Sequence, residues 1–331
     1  MNTSTVLLRT AGAMAALLVG LPLHPQTRDA ASSYPSRAVR IIVPFAAGAG
    51  PDVRARQLGD KLAEQWGQPV IVENRPGAGG QIGMQQAANA APDGYTLVMA
   101  GQSALAIQPH LVKQPFDPLK DFVPVAGIGT GAIVLVVNPK VAVASVNELV
   151  QVAQRHPGKL NASSWGNATI PHLALELFKR TAAVDIAHVA YKDAAQSIKD
   201  LVAGEVQMTF DFLPILGPQI KAGRLKPLAV SGPVRLSALP DVPTFAEAGL
   251  SDMATVRGWQ GVAAPAGTPP EIVDKLNRAI SYAIARPEMR ASYLDVGFDP
   301  TVSTPREFAE FIREEHSRWG RLIAVANIRA E

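Results

Sequence analysis

The sequence predicts an α/β protein of two lobes, each built on a mixed, mostly parallel sheet, with two strands crossing between the lobes. Three observations carry that expectation. From about residue 38 onward, short β-branched runs alternate with segments of helical spacing, the pattern of βαβ units. The alternation is interrupted by a long apolar stretch, FVPVAGIGTGAIVLVVNP, from Phe122 to Pro139. A second stretch of similar character, VRGWQGVAAPAG, follows residue 254. One segment inserted into another would be joined through these two stretches, and such a joint suits hinge closure over a small ligand.

Each element has its own warrant. AVRIIVPF, PVIVENR and TLVMAG are apolar, β-branched runs bounded by Gly, Pro and Asn, which makes them strands. Between the first two, Val53, Ala55, Leu58, Leu62 and Trp66 form a helical stripe that Pro51 opens and Gly67 ends. The stretch from Phe122 reads as two strands broken at a Gly/Thr cluster. A second α/β set follows: helices in SVNELVQVAQRH, HLALELFKRTA and AAQSIKDLVAGEV, strands in IAHVAYK, MTFDFLP and LKPLAVSG. Capping boxes at Ser145, Thr268 and Thr304, each with Glu three residues on, mark further helix starts.

Composition narrows the function classes. The chain has 331 residues, 47% apolar and 18% charged, enough for two cores. A net charge of +3 with scattered Lys and Arg lacks the clustered footprint of a nucleic-acid binder. The opening MNTSTVLLRTAGAMAALLVGLPL has Arg9 before a short apolar run and small residues near Ala30, the layout of a secretory signal. Residues 1–32 are therefore set apart, and the mature protein is expected in the periplasm. With no cysteine there is no lipid-anchor site after the signal and no disulfide.

Several chemistries lack their residues. RPGAGGQIG, Arg75 to Gly83, follows a strand and opens a helix, but its third glycine falls one place late for a dinucleotide loop. Its glycines serve a turn or a cleft wall. The six histidines have no close-spaced carboxylate partners, so neither a metal nor a cofactor is expected. No G-x-S-x-G is present, so no hydrolase nucleophile is expected. Ser103 follows a strand and reads as an N-cap or as a hydrogen-bond donor to a ligand. Asp52 sits in a first helical turn, where the dipole can stabilise it without a function, the alternative being a catalytic pair with Asp211. Asp211 lies near a strand end, the edge where open α/β sheets place ligands.

The segments YPSRAVRIIVPFAAGAGPD, VIVENRPGAGGQIG, APDGYTLVMAG, HVAYKDAAQSIKDLVAGEV, ALPDVPTFAEAGL and APAGTPPEIVDKLN, in this order, resemble the tripartite tricarboxylate transporter substrate-binding proteins, or Bug family. The resemblance implies a type II periplasmic binding fold, closing like a flytrap on a small organic acid and delivering it to a membrane permease. It implies lobe 1 at 33–130 and 255–331, lobe 2 at 131–254, and a monomer without enzymatic activity. A sensor kinase as recipient, or an enzyme on the same scaffold, are the alternatives.

Carried over position by position, the ligand residues are Phe45, Ala47, Gly48, Gly50 and Asp52 in the first loop. Ser103 follows the third strand; Ser164, Asn167, Ala168 and Thr169 form the second loop; Asp211 ends a strand. A carboxylate at the first loop would be held by backbone N–H groups at a helix N-terminus, without a lysine. Two departures stand out. Ala49, Gly50, Pro51 and Asp52 replace the usual Gly-Gly-Thr-Asp, and the second loop carries Trp165 and Pro171. Trp165 reads either as a stacking surface for an aromatic acid or as inter-lobe packing.

Overall fold

Two strands running in opposite directions organise the computed structural model, which describes residues 33–329. They are β4 (Phe122–Val137) and β9 (Arg257–Pro265), paired antiparallel from Phe122↔Pro265 to Ala132↔Arg257. The expected break inside β4 is absent: it is one strand of 16 residues. Its glycines are taken up by register shifts at Pro124/Ala126 and Gly127/Gly129, bulges that bend a strand without ending it. Gly129 has φ +145°, and a Cβ there would overlap the Asp299 carbonyl, so the bulge requires glycine.

From Pro35 onward the chain is one compact unit. On one side of β9 lies β3 (Thr96–Gly101), antiparallel to it, then β1 (Val39–Val43) and β2 (Val70–Asn74), parallel to each other. Helix α1 (Gly50–Trp66) crosses from β1 to β2, burying Leu58 and Leu62 and ending on Gly67 in the left-handed region at φ 62°. Helix α2 (Gln81–Ala88) crosses from β2 to β3.

At Ile133 β4 changes partners. Beyond it the strand pairs with β7 (Met208–Phe212) and β8 (Lys226–Val230), and β7 continues to β5 (Asn161–Ser164) and β6 (Ala187–Ala190). Crossovers are made by α3 (Val146–Arg155), α4 (Ile170–Ala182), α5 (Ala194–Ala203) and α6 (Leu213–Lys221). The two-residue period of a strand divides this half of β4 between two cores: Ile133, Leu135 and Val137 join one, Val134 and Val136 the other. The chain then returns through β9 to α7 (Pro270–Ala285), α8 (Pro287–Leu294), β10 (Phe298–Asp299) and α9 (Pro305–Val325).

The three expected capping boxes have three outcomes. Thr304 forms the complete box with Glu307. Ser145 accepts from the Glu148 N–H, but Glu148 reaches back to the Ala144 N–H. Thr268 forms none: its hydroxyl donates to the Pro265 carbonyl and the helix opens behind Pro269. The expected signal segment, 1–32, lies outside the described residues. Among the described residues no helix is long and apolar enough to cross a membrane.

Candidate functional site

At the C-terminal ends of β1 and β3 in one half of the ten-stranded sheet, and of β5 and β7 in the other half, lies a cavity of about 680 Å³. Helices α1, α4 and α6 each bring their first residues to it: Gly50, Ile170 and Pro214. Its floor is the place where β4 and β9 pair Gly131 with Gly258. A Cβ on Gly258 would lie 2.7 Å from the Phe212 ring, so the bare backbone admits that ring to the floor. Phe45, Trp165, Phe212, Trp259 and Phe298 give the cavity an aromatic lining.

The first loop, between β1 and α1, is held by charge. Asp52 is 3% exposed and accepts the Gly48 N–H at 2.8 Å, the Asn74 amide at 2.8 Å and the Arg56 guanidinium at 3.0 Å. Asn74 also donates to the Phe45 carbonyl and accepts from Arg56. Burial alone would raise the Asp52 carboxyl, but these donors outweigh it and hold it below the usual carboxylate range. The carboxylate therefore faces its own loop.

The second loop, from β5 to α4, is held by neutral groups. Ser164 donates to the Gly166 carbonyl at 2.9 Å and lies 2.7 Å from His188 Nε2. The Ala168 N–H donates to His172 Nδ1, and the Thr169 hydroxyl to the Gly166 carbonyl. The two imidazoles stack at 3.8 Å, nearly parallel. Burial lowers both to about 4; the charge of Lys179 adds to the effect on His172, and His172 itself adds to the effect on His188.

Asp211 lies behind this loop, 2% exposed, accepting the Trp165 indole N–H at 3.0 Å and the Phe212 N–H at 2.8 Å. Burial pushes its carboxyl up to about 7 against the pull of those donors. It thereby anchors Trp165 in the cavity wall. On the other side Glu315 accepts the indole N–H groups of Trp259 and Trp319 and pairs with Arg318.

Of the residues singled out from sequence, Phe45, Gly50, Ser103, Ala168 and Thr169 line the cavity. Ala47 and Gly48 sit on the exposed side of the first loop, and Asp52 is buried beneath it. Ser164 and Asp211 are buried behind the second loop, and Asn167 is half-buried outside the lining. The Gly-rich turn after β2 does form a wall, with Gly77, Gly79 and Gly80 in the lining. Arg54 was missed. Its Nε donates to Gln260 at 2.7 Å and its guanidinium lies 4.2 Å from the centre of the Phe298 ring. Burial lowers it to about 10, which leaves it charged at neutral pH. Among the described residues no group of acids and histidines could hold a metal ion.

The chain and its fold have counterparts among known proteins. The chain is 35% identical over 298 residues to Protein BugT of Bordetella pertussis, covering 88% of this chain and 90% of that protein. A solved structure of R. palustris Rpa4515 with adipate superposes with a TM-score of 0.78 at 33% identity, over 90% of this chain and all of that one. MatC of Rhodopseudomonas palustris, solved with bound malate, gives 0.72 at 32% identity over 88% of this chain and all of that one. The architecture is that of periplasmic binding proteins. A family model, the tripartite tricarboxylate transporter family receptor, matches residues 54–328, and receptors of that family are periplasmic. The chain belongs to the tripartite tricarboxylate transporter family of receptors.

Proposed function

We propose that this protein is a periplasmic receptor that captures a small carboxylate in the cavity between the two halves of its sheet, without turnover, and hands it to a membrane permease. The observation that carries the reading is the convergence of three helix N-termini on one cavity while the nearby acids are turned away into their own networks. Helix N-termini present free N–H groups and a positive dipole end, so the wall favours an anion. Relatives solved with adipate and malate support a carboxylate as that anion. Phe45, Gly50, Ser103, Ala168 and Thr169 would touch the ligand. Ala47, Gly48, Asp52, Ser164, Asn167 and Asp211 would shape the loops that do. Residues 1–32 would direct export, and the mature protein would act as a monomer.

Closure would take place about the crossing of β4 and β9, with lobe 1 at 33–130 and 255–331 and lobe 2 at 131–254. The test is thermal unfolding of the mature protein, freed of co-purified ligand, against organic acids and their amides. A ligand at about 100 times its dissociation constant stabilises by about 2.7 kcal/mol, or roughly 4 °C here. A shift with an acid and none with its amide is the expected result, with the acid recovered unchanged. Equal shifts with acid and amide, or a product in place of the acid, would overturn the reading.

A further inference from the structure

Arg54 stands apart from the cations around it. Two residues along α1, Arg56 is paired with Asp52, and on β9 Arg257 is paired with Asp299. Among the described residues Arg54 has no carboxylate partner: its Nε is committed to Gln260, and its remaining nitrogens make no hydrogen bond to any of them. The titratable group that faces it is the Tyr293 phenol, which burial holds neutral. The side chain is nevertheless fixed, because Gln260 on β9 and the Phe298 ring hold it from two separate parts of the chain. A half-buried guanidinium without a counter-ion carries an uncompensated desolvation cost, which an incoming anion offsets.

Its placement supplies the second argument. A Cβ on Gly50 would lie 2.7 Å from Arg54 Nη2, so the guanidinium is folded back toward the first residues of α1. All three helices that open onto the cavity carry proline in their first turn, at Pro51, Pro171 and Pro214. Each proline removes one N–H donor from an end that would otherwise offer it. At α1 the missing donor is made up by a charged fork suited to a carboxylate. At α4, among the described residues, no Lys or Arg of the cavity lining takes that place.

We propose that Arg54 is the cavity's ionic ligand contact, reading a second anionic group on the bound acid, so that the receptor prefers molecules with two negative ends over singly charged ones of equal length. The inference rests on the cavity being the ligand site. The first anionic group would sit at the Thr169 side and the second at Arg54, across an aromatic-lined middle that suits an apolar spacer. Carboxylate, sulfonate and phosphonate share the required chemistry.

The experiment measures binding of a diacid, its monoamide and a carboxylate–sulfonate analogue to the wild-type protein and to Arg54→Met and Arg54→Lys. Met keeps the stem against Phe298 without the charge; Lys keeps the charge without the fork. Wild type should bind the diacid about 10–100 times more tightly than the monoamide, and Arg54→Met should bring that ratio near one by losing the diacid. Arg54→Lys should retain part of the preference. Tight sulfonate binding would broaden the anion class; none would restrict it to carboxylates, and either result upholds the contact. An unchanged ratio in Arg54→Met, with the variant unfolding at the wild-type temperature, would overturn the proposal. Absence of binding by any acid to wild type would instead overturn the ligand-site reading beneath it.

Discussion

The two loops that face each other across the cavity solve the same problem with different chemistry. The loop before α1 is fixed by a buried carboxylate with three kinds of donor, whereas the loop before α4 is fixed by hydroxyls and two neutral imidazoles. A charged clasp is strong but depends on one residue, since its loss leaves the Gly48 N–H and the Asn74 amide without their acceptor. A neutral, distributed clasp tolerates loss of a member but is exposed to protonation. The difference teaches where each side of the site should fail.

The largest effect should come from Asp52→Ala. Removing a buried acceptor shared by several donors costs about 2–4 kcal/mol, read as a melting temperature lower by roughly 3–6 °C. Asp52→Asn, which keeps the shape and one acceptor, should recover part of it. An unchanged melting temperature in the alanine variant would show the two clasps to be equal.

Next comes pH, where the clasps should separate. His172 and His188 titrate near 4 in the fold and near 6.5 when free, so the unfolded chain binds more protons between those values. Their contribution is therefore present above about 6.5 and lost as pH falls toward 4. Asp52, lowered in the fold, contributes above its free value of 3.8 and is lost only as pH falls further. Asp211 has the opposite sign: raised from 3.8 to about 7, it favours folding below 3.8 and loses that contribution as pH rises through 7. Melting curves from pH 4 to 8 should show His188→Phe flattening the acid limb and Asp211→Asn the neutral limb. Parallel profiles for wild type and both variants would remove these groups from the pH response.

The smallest effect should be that of Thr169→Val, which removes a hydroxyl from the cavity lining together with its bond to the Gly166 carbonyl. It should weaken acid binding by about 10-fold or less with little change in melting temperature. Unchanged affinity would remove the hydroxyl from the ligand's contacts.

Much of the architecture was legible because periodicity and punctuation are local. Pro51 and Gly67 bracket α1, and the strands around it are β-branched runs. The break expected in β4 was not found, because whether glycines end a strand or become bulges is decided by a partner strand more than 100 residues away. The site was legible as loops but not as contacts. Asp211 was marked by its place at a strand end, while its partner Trp165 lies 46 residues earlier. The two histidines give no metal spacing, and the stacking that relates them brings the first turn of α4 against β6. Arg54 was hidden for the same reason. Between Val53 and Ala55 it reads as a solvent-facing helix position, and only Gln260, 206 residues on, turns it inward.

The indole anchoring has a consequence for how this molecule can be watched. Two of its four tryptophans line the cavity, and each gives its N–H to a different buried carboxylate: Trp165 to Asp211, Trp259 to Glu315. An indole's emission responds to charge near its nitrogen, so the protein carries two built-in optical probes, one on each side of the cleft. Unlabelled protein should thus report ligand entry by its own fluorescence, and Trp165→Phe and Trp259→Phe would assign the signal to one wall or the other.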